Sequence, residues 1–266
     1  MKKSYLVLLL LLVGAGMAWA QGGMKKKKPL PYEFGTVTLN NYSEHAGMPP
    51  AVFDHWVHRK HFTCRLCHVD IGFGMTAGST KIKAADNMKG YYCGTCHNGQ
   101  SEFGKGKLFA SCAKEYTRED YKVCVNCHRV DRSEAREDAF YDFAQGMPRE
   151  TFGNGINWEK AEEMGKIKLT DYLEGVSVKK AKLKTQQDFS LTSKVEGMPD
   201  IIFSHKKHTV WSGCELCHPD IFVGVKKGAT KYSMVEIFDG KYCGVCHGKV
   251  AFPNTDCQRC HSAPVQ

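Results

Sequence analysis

Past residue 20 the sequence has no apolar run long enough to cross a bilayer, and it has no cysteine before Cys64. The first absence excludes a transmembrane helix in the body of the chain. The second leaves no cysteine for lipid attachment near the N-terminus. Residues 129–194 contain neither cysteine nor histidine. Any redox or metal chemistry carried by those side chains therefore lies on either side of that stretch. Charged residues are 24% of the 266, of both signs, which is not the composition of a disordered acidic or basic tail.

At the N-terminus, Lys2 and Lys3 precede an unbroken apolar run from Leu6 to Val13, and Ala18-Trp19-Ala20 forms a small-x-small cleavage site. This is the pattern of a secretory signal over residues 1–20, with an apolar part short for a membrane span. Cleavage leaves 246 residues. Because it removes two lysines and no acid, the net charge falls from +9 to +7. That length suits one large domain or two ordinary ones. Thirteen cysteines in an exported chain would ordinarily signal disulfides, but their spacing rejects that reading.

Twelve of the thirteen lie in six CxxCH motifs: Cys64-Cys67-His68, Cys93-Cys96-His97, Cys124-Cys127-His128, Cys214-Cys217-His218, Cys243-Cys246-His247 and Cys257-Cys260-His261. A shuffled chain of this composition would contain about 0.03 such motifs. Two cysteines three apart can bond to the two vinyl groups of one haem, and the histidine after the second then lies under the iron as an axial ligand. Zinc sites also use CxxC pairs, but tetrahedral zinc needs no histidine after each one. Thiol redox enzymes usually carry a single pair. The sequence therefore predicts six covalently bound haems c. Cys112 is left over, as a free thiol or an intermolecular partner. Six haems in 246 residues leave about 41 residues each, too few to enclose every haem in its own apolar core. The haems themselves must form the core, packed closely enough for electrons to tunnel between them.

Shifting the chain by 150 aligns residues 53–97 with 203–247 without a gap, giving 19 identities in 45 positions. Phe53-x-His55-x-x-His58 meets Phe203-x-His205-x-x-His208, and Gly47-Met48-Pro49 meets Gly197-Met198-Pro199. Each repeat thus carries three motifs after a Phe-x-His-x-x-His segment. The third motif is displaced in the first repeat, where 26 residues separate His97 from Cys124 against nine between His247 and Cys257. In that insert Gly99-x4-Gly104-Lys105 has Gly106 where a phosphate loop needs Ser or Thr, so it is discarded. Within the cysteine-free stretch, Asn157 is placed to cap a short helix through Glu163 that stops at Gly165, with Trp158, Ala161 and Met164 on one buried face. Residues 174–195 are polar and lysine-bearing, without clear periodicity. The lysine run Lys25–Lys28 reads as a solvated segment.

Phe-x-His-x-x-His followed by three CxxCH motifs resembles the triheme cytochrome c7 family, a shortened relative of cytochrome c3. The chain is similar to a tandem of two such units. The expected layout is a basic segment over 21–46, a first triheme unit over 47–128, a connector over 129–196 and a second triheme unit over 197–266. The resemblance implies a haem-packed core and a mainly irregular fold with short α-helices. It also implies periplasmic or extracellular electron transfer to other redox proteins, such as cytochromes and membrane-bound oxidoreductases, in metal- or sulfur-respiring bacteria. By the same resemblance His55 pairs with His68, His58 with His97, His205 with His218 and His208 with His247.

Six haems need twelve axial ligands, and six histidines remain outside the motifs: His45, His55, His58, His61, His205 and His208. The third haem of each unit departs from the family, which keeps a histidine shortly before the second motif. Here the aligned positions are Lys89 and Asp239. In the first repeat His45 or His61 could substitute, with Met75 and Met88 behind them. In the second, Met234 is the candidate. Ionised propionates bring the +7 polypeptide to about +1 with six ferric haems and about −5 with six ferrous ones, so the basic balance compensates haem charge rather than marking a nucleic-acid binder. The expected role is a relay of single electrons. A reductase would need an iron with an open position, and no CxxCK motif is present. A subunit of a haem filament or outer-membrane conduit is the third class.

Overall fold

Frequent glycine punctuation and closely spaced motifs leave room only for short elements. The computed structural model describes residues 28–264 apart from 105, 116, 118, 120, 131–133, 180, 182–183 and 224–225. The expected signal segment and Lys25–Lys27 lie outside the described residues. Among the described residues six strands pair as three antiparallel two-stranded ribbons: β1 (Thr36–Leu39) with β2 (Ala51–Asp54), β3 (Glu102–Phe103) with β4 (Gly106–Lys107), and β5 (Phe189–Leu191) with β6 (Ile201–Phe203). The helices are α1 (His55–Arg59), α2 (Ala84–Met88), α3 (Tyr121–Cys124), α4 (Glu134–Gln145), α5 (Trp158–Glu163), α6 (His205–Ser212), α7 (Met234–Phe238) and α8 (Cys257–Cys260). Among them α4, at 12 residues, is the longest. The fold class is as expected: short helices, small ribbons and much irregular chain. No described helix is long and apolar enough to cross a membrane.

The repeat seen in sequence is a repeat in space. In each copy a ribbon runs into a histidine-bearing helix. Val37 pairs with Phe53 ahead of α1, and Phe189 pairs with Phe203 ahead of α6. Strand β5 falls in the stretch that looked aperiodic. Its counterpart β1 lies 152 residues upstream rather than 150, so an ungapped comparison does not reach it. The second motifs are also built alike. Tyr92 and Tyr242 adopt φ of 49° and 50°, and Gly94 and Gly244 follow inside 3-10 turns. A Cβ on Gly94 would collide with the Asn87 carbonyl at the end of α2, and one on Gly244 with the Ile237 carbonyl of α7. Glycine at this point lets the motif close directly onto the preceding helix.

The cysteine-free stretch supplies much of the protein's own apolar core. Phe140 and Ala144 of α4, Ile156, Trp158 and Ala161 of α5, and Ile167 are all buried. Trp56 of α1 meets Phe140 edge-on at 5.2 Å and Phe143 at 6.1 Å. Asn157 caps α5 by accepting from the Lys160 amide at 3.0 Å, and Gly165 ends the helix region with φ 66°. One part of the sequence expectation fails: Met164 is 55% exposed. The α5 helix ends at Glu163, and Met164 turns away from the face that Trp158 and Ala161 bury. The buried Asp54 and Arg65 are paired. Asp54 accepts from Thr36, Arg129 and Arg136, while Arg65 donates to Asp70 and Asp171. Burial alone would raise the Asp54 carboxyl; the Thr36 hydroxyl and the two guanidinium groups outweigh it and hold the carboxyl below its usual range.

Candidate haem-binding sites

Axial imidazoles need a fixed tautomer, with Nδ1–H held by an acceptor and Nε2 left for the metal. The backbone provides this repeatedly. Nδ1 of His55 lies 2.5 Å from the Gly35 carbonyl, and that of His205 lies 3.0 Å from the Gln187 carbonyl, both just before their ribbon strands. His208 uses the Ser204 carbonyl at 2.8 Å. Among motif histidines, His68 uses Phe73, His218 uses Phe222 and His247 uses Phe252, at 2.8, 2.7 and 3.1 Å. His128 and His261 use the carbonyls of Pro49 and Pro199, each at 2.7 Å. The Gly-Met-Pro block shared by the repeats is therefore the anchor of each third motif. In the first repeat the Val52 amide also donates to the Cys127 carbonyl at 2.7 Å.

Phenylalanines orient the rings. Phe53 stacks on His58 at 4.4 Å and meets His55 edge-on; Phe203 does the same with His208 at 4.5 Å and with His205. That is the physical role of the first position in Phe-x-His-x-x-His. Phe109 against His97 and Phe252 against His247, at 4.4 and 4.2 Å, do the corresponding work at the second motifs. Sequence comparison missed this second pair, because the loop after the motif differs in length between repeats.

The structure brings together three of the four expected pairs in a telling geometry. Ring centres of His55 and His68 are 6.5 Å apart with planes only 6° from parallel. His58 and His97 are 6.2 Å apart, as are His208 and His247. A metal–imidazole bond of about 2 Å on each side of an iron puts two axial rings about 6 Å apart. Parallel rings in direct contact would sit closer, so the space between His55 and His68 suits one metal ion and a flat macrocycle. Burial pushes His55, His58 and His247 down to about 4, so they are neutral imidazoles, the ligand form, at neutral pH. All thirteen cysteines are unbridged, and the described residues hold no cluster of three or more His, Cys, Asp or Glu suited to a bare metal ion. Burial pushes the Cys67, Cys93 and Cys246 thiols up to about 12, so in the bare chain they are protonated and uncharged at neutral pH. The donor set fits covalently attached haem.

The other candidates are dispersed. His45 is exposed on the 3-10 turn Glu44–Ala46. His61 packs its ring edge-on to Phe103 at 4.7 Å. Met234 opens α7, partly exposed, behind a capping box between Ser233 and Glu236. Cys112 accepts from Asn87 Nδ2 at 3.7 Å, beside the helix that corresponds to α7. Burial raises its thiol more than the Asn87 contact lowers it.

The two repeats meet at Arg59. Its guanidinium lies 4.4 Å from the centre of the Trp158 ring and 4.9 Å from that of Trp211, and Nη1 donates to the Val250 carbonyl at 2.6 Å. Close by, Arg65 packs so tightly on Gly213 that a Cβ there would collide with it, and Arg259 pairs with Glu150. Burial pulls the Arg59 guanidinium down to about 10, which leaves it a cation at neutral pH.

The family model for cytochrome c7 and related cytochrome c matches residues 51–129 and 201–262. Together these stretches exceed half of the chain, and the protein belongs to that family. Among solved structures, a c7-type three-heme cytochrome domain is 36% identical over 29% of this chain and 95% of its own, with a TM-score of 0.27. The C-terminal hexaheme fragment of a dodecaheme cytochrome c is 24% identical over 86% of this chain and 97% of the fragment, with a TM-score of 0.26. The N-terminal hexaheme fragment of the same cytochrome is 20% identical over 86% and 99%, with a TM-score of 0.25. No curated protein matches the sequence. The protein is a multihaem c-type cytochrome, and the activity of that class is electron transfer.

Proposed function

We propose that the protein is a hexahaem relay. It is exported behind the 1–20 signal, carries no catalytic site of its own and passes single electrons between redox proteins in the periplasm or at the cell exterior, in metal- or sulfur-based respiration. The parallel His55 and His68 rings, 6.5 Å apart, carry this reading, because apposed neutral imidazoles at that separation fit a six-coordinate iron with no open position. Haem supplies a one-electron couple; the chain supplies the ligands, the burial and the nearby charge that set its potential. Cys64 and Cys67, Cys93 and Cys96, Cys124 and Cys127, Cys214 and Cys217, Cys243 and Cys246, and Cys257 and Cys260 are the attachment points. His68, His97, His128, His218, His247 and His261 are the motif-side ligands, opposed by His55, His58, His205 and His208 at the first two haems of each unit. Each unit takes in the ribbon strand ahead of its Gly-Met-Pro block, because that strand's entry carbonyl holds the first distal histidine.

For the third haem of the second unit the proposed ligand is Met234, at the head of α7; in the first unit the role falls to His45 or His61. Intact mass of protein matured in a cytochrome c-competent host should give residues 21–266 plus six haems, with a low-spin ferric EPR spectrum. Five haems or fewer, or a stoichiometric high-spin signal, would overturn the reading. A near-infrared band of Fe–S(Met) type should vanish in Met234→Ala.

A further inference from the structure

Several arginines in the folded body have carboxylate partners: Arg65 with Asp70 and Asp171, Arg129 and Arg136 with Asp54, Arg259 with Glu150. Arg59 differs. Among the described residues it forms no ion pair, and its Nε is cut off from solvent without a hydrogen-bond partner. Its protein contacts are two indole faces and one carbonyl, from three different parts of the chain. A cation partly withdrawn from water, as Arg59 is, costs free energy unless negative charge or π density compensates it. Two aromatic faces and one acceptor provide part of that compensation.

The surroundings indicate where the rest comes from. Arg59 follows His58, lies on the helix that carries His55, and leans over to Val250, four residues beyond Cys246. Gly35, whose carbonyl holds His55, also borders Val250 and Lys249. Val250, which accepts from Arg59, donates its own amide to the Cys246 carbonyl at 3.0 Å, and Cys64 follows Arg59 by five residues just past α1. Attachment points for the first haem of the first repeat and the second haem of the second repeat thus flank one cation. The sequence repeat does not continue here, since Arg59 and Trp56 align with Thr209 and Lys206. The feature belongs to the seam and not to either unit.

We propose that Arg59, clamped between Trp158 and Trp211, is a potential-setting residue at the junction of the two triheme units, raising the reduction potentials of the haems on Cys64/Cys67 and Cys243/Cys246. The inference rests on the hexahaem reading above. A fixed positive charge in a low-dielectric site favours the ferrous form, which carries one more negative charge than the ferric form. The seam haems then hold electrons longer than they would unaided, and transfer between units passes beside the cation.

The test is a redox titration of the full six-haem protein, with individual haems followed by their NMR methyl signals and assigned through the ligand variants. In Arg59→Gln the oxidised-to-reduced ratio of the two seam haems at fixed potential should rise about tenfold, a shift of about 59 mV to lower potential for a one-electron couple. Arg59→Lys should recover most of that shift. Should Arg59→Gln fail to mature with six haems, Trp211→Leu, which removes one face of the clamp, should move the same two haems in the same direction by less. Unchanged seam potentials in the variant that matures, or a shift confined to the haems on Cys124/Cys127 and Cys257/Cys260, would overturn the proposal while leaving the relay reading intact. Wild-type protein lacking haem at either seam pair would overturn both.

Discussion

At the scale of single residues, the histidines divide into those whose role was legible and those whose role was not. Phe-x-His-x-x-His was visible as a repeated pattern, and the folded chain gives each position work to do: the phenylalanine stacks on the second histidine, and a backbone carbonyl fixes the first. Replacing His205 or His208 with Ala should therefore leave one high-spin haem with a raised potential, read by EPR and spectroelectrochemistry. Fully low-spin spectra from both variants would reject the assignment. Cys112 was legible only as a remainder. Its thiol is pushed up by burial, with a smaller opposing effect from Asn87. The matured protein should contain one alkylatable thiol, reacting slowly at neutral pH and faster as pH rises, with a midpoint above that of an ordinary cysteine. A fast reaction at pH 7 would contradict the burial. His45 and His61 remained open in sequence because a distal ligand is chosen by position in space, and neither has a counterpart in the other repeat.

At the scale of elements, helices α1 and α6 begin from the same motif and then diverge in what they pack against. On α1, Trp56 meets Phe140 and Phe143 of α4, and Phe143 in turn packs on Trp158 of α5; α6 has Lys206 at the place of Trp56. Trp56→Ala should lower unfolding stability by about 3–5 kcal/mol, the usual cost of deleting a large buried aromatic, measured as a drop in thermal midpoint at unchanged haem content. The same truncation at the exposed Tyr91 should have little effect. Asn157→Ala should cost about 1 kcal/mol through the lost cap of α5. That cap was readable in advance because Asn before an apolar-periodic segment is a local signal. The exposure of Met164 was not, because helical spacing shows which side chains share a face without showing where the helix ends relative to its neighbour. Strand β5 escaped notice for a related reason: a three-residue strand has too few positions to show alternation, and it is stabilised by its partner β6 rather than by its own sequence.

At the scale of the whole molecule, the two repeats are held together by arginines. Arg59 reaches Val250 and Arg65 presses on Gly213, while Arg259 ties the second repeat to Glu150 of the connector. Lys179 and Lys184, by contrast, are exposed, and both lie between the repeats. Trypsin cleavage after either should give two haem-bearing fragments that still co-elute in gel filtration under native conditions; separation of the fragments would show that the seam is weaker than its contacts imply. The sequence by itself determined the number of attachment motifs, the internal repeat and the histidines of each repeated helix, because covalent attachment and axial ligation are read from residue type at fixed local spacing. Only the tertiary structure decided which carbonyls fix eight of the imidazoles, which aromatic rings back the paired ones, and that a cation with no carboxylate partner among the described residues lies where the repeats join. Those features depend on residues up to 191 positions apart, and contacts between such distant segments leave no periodicity in the chain that forms them.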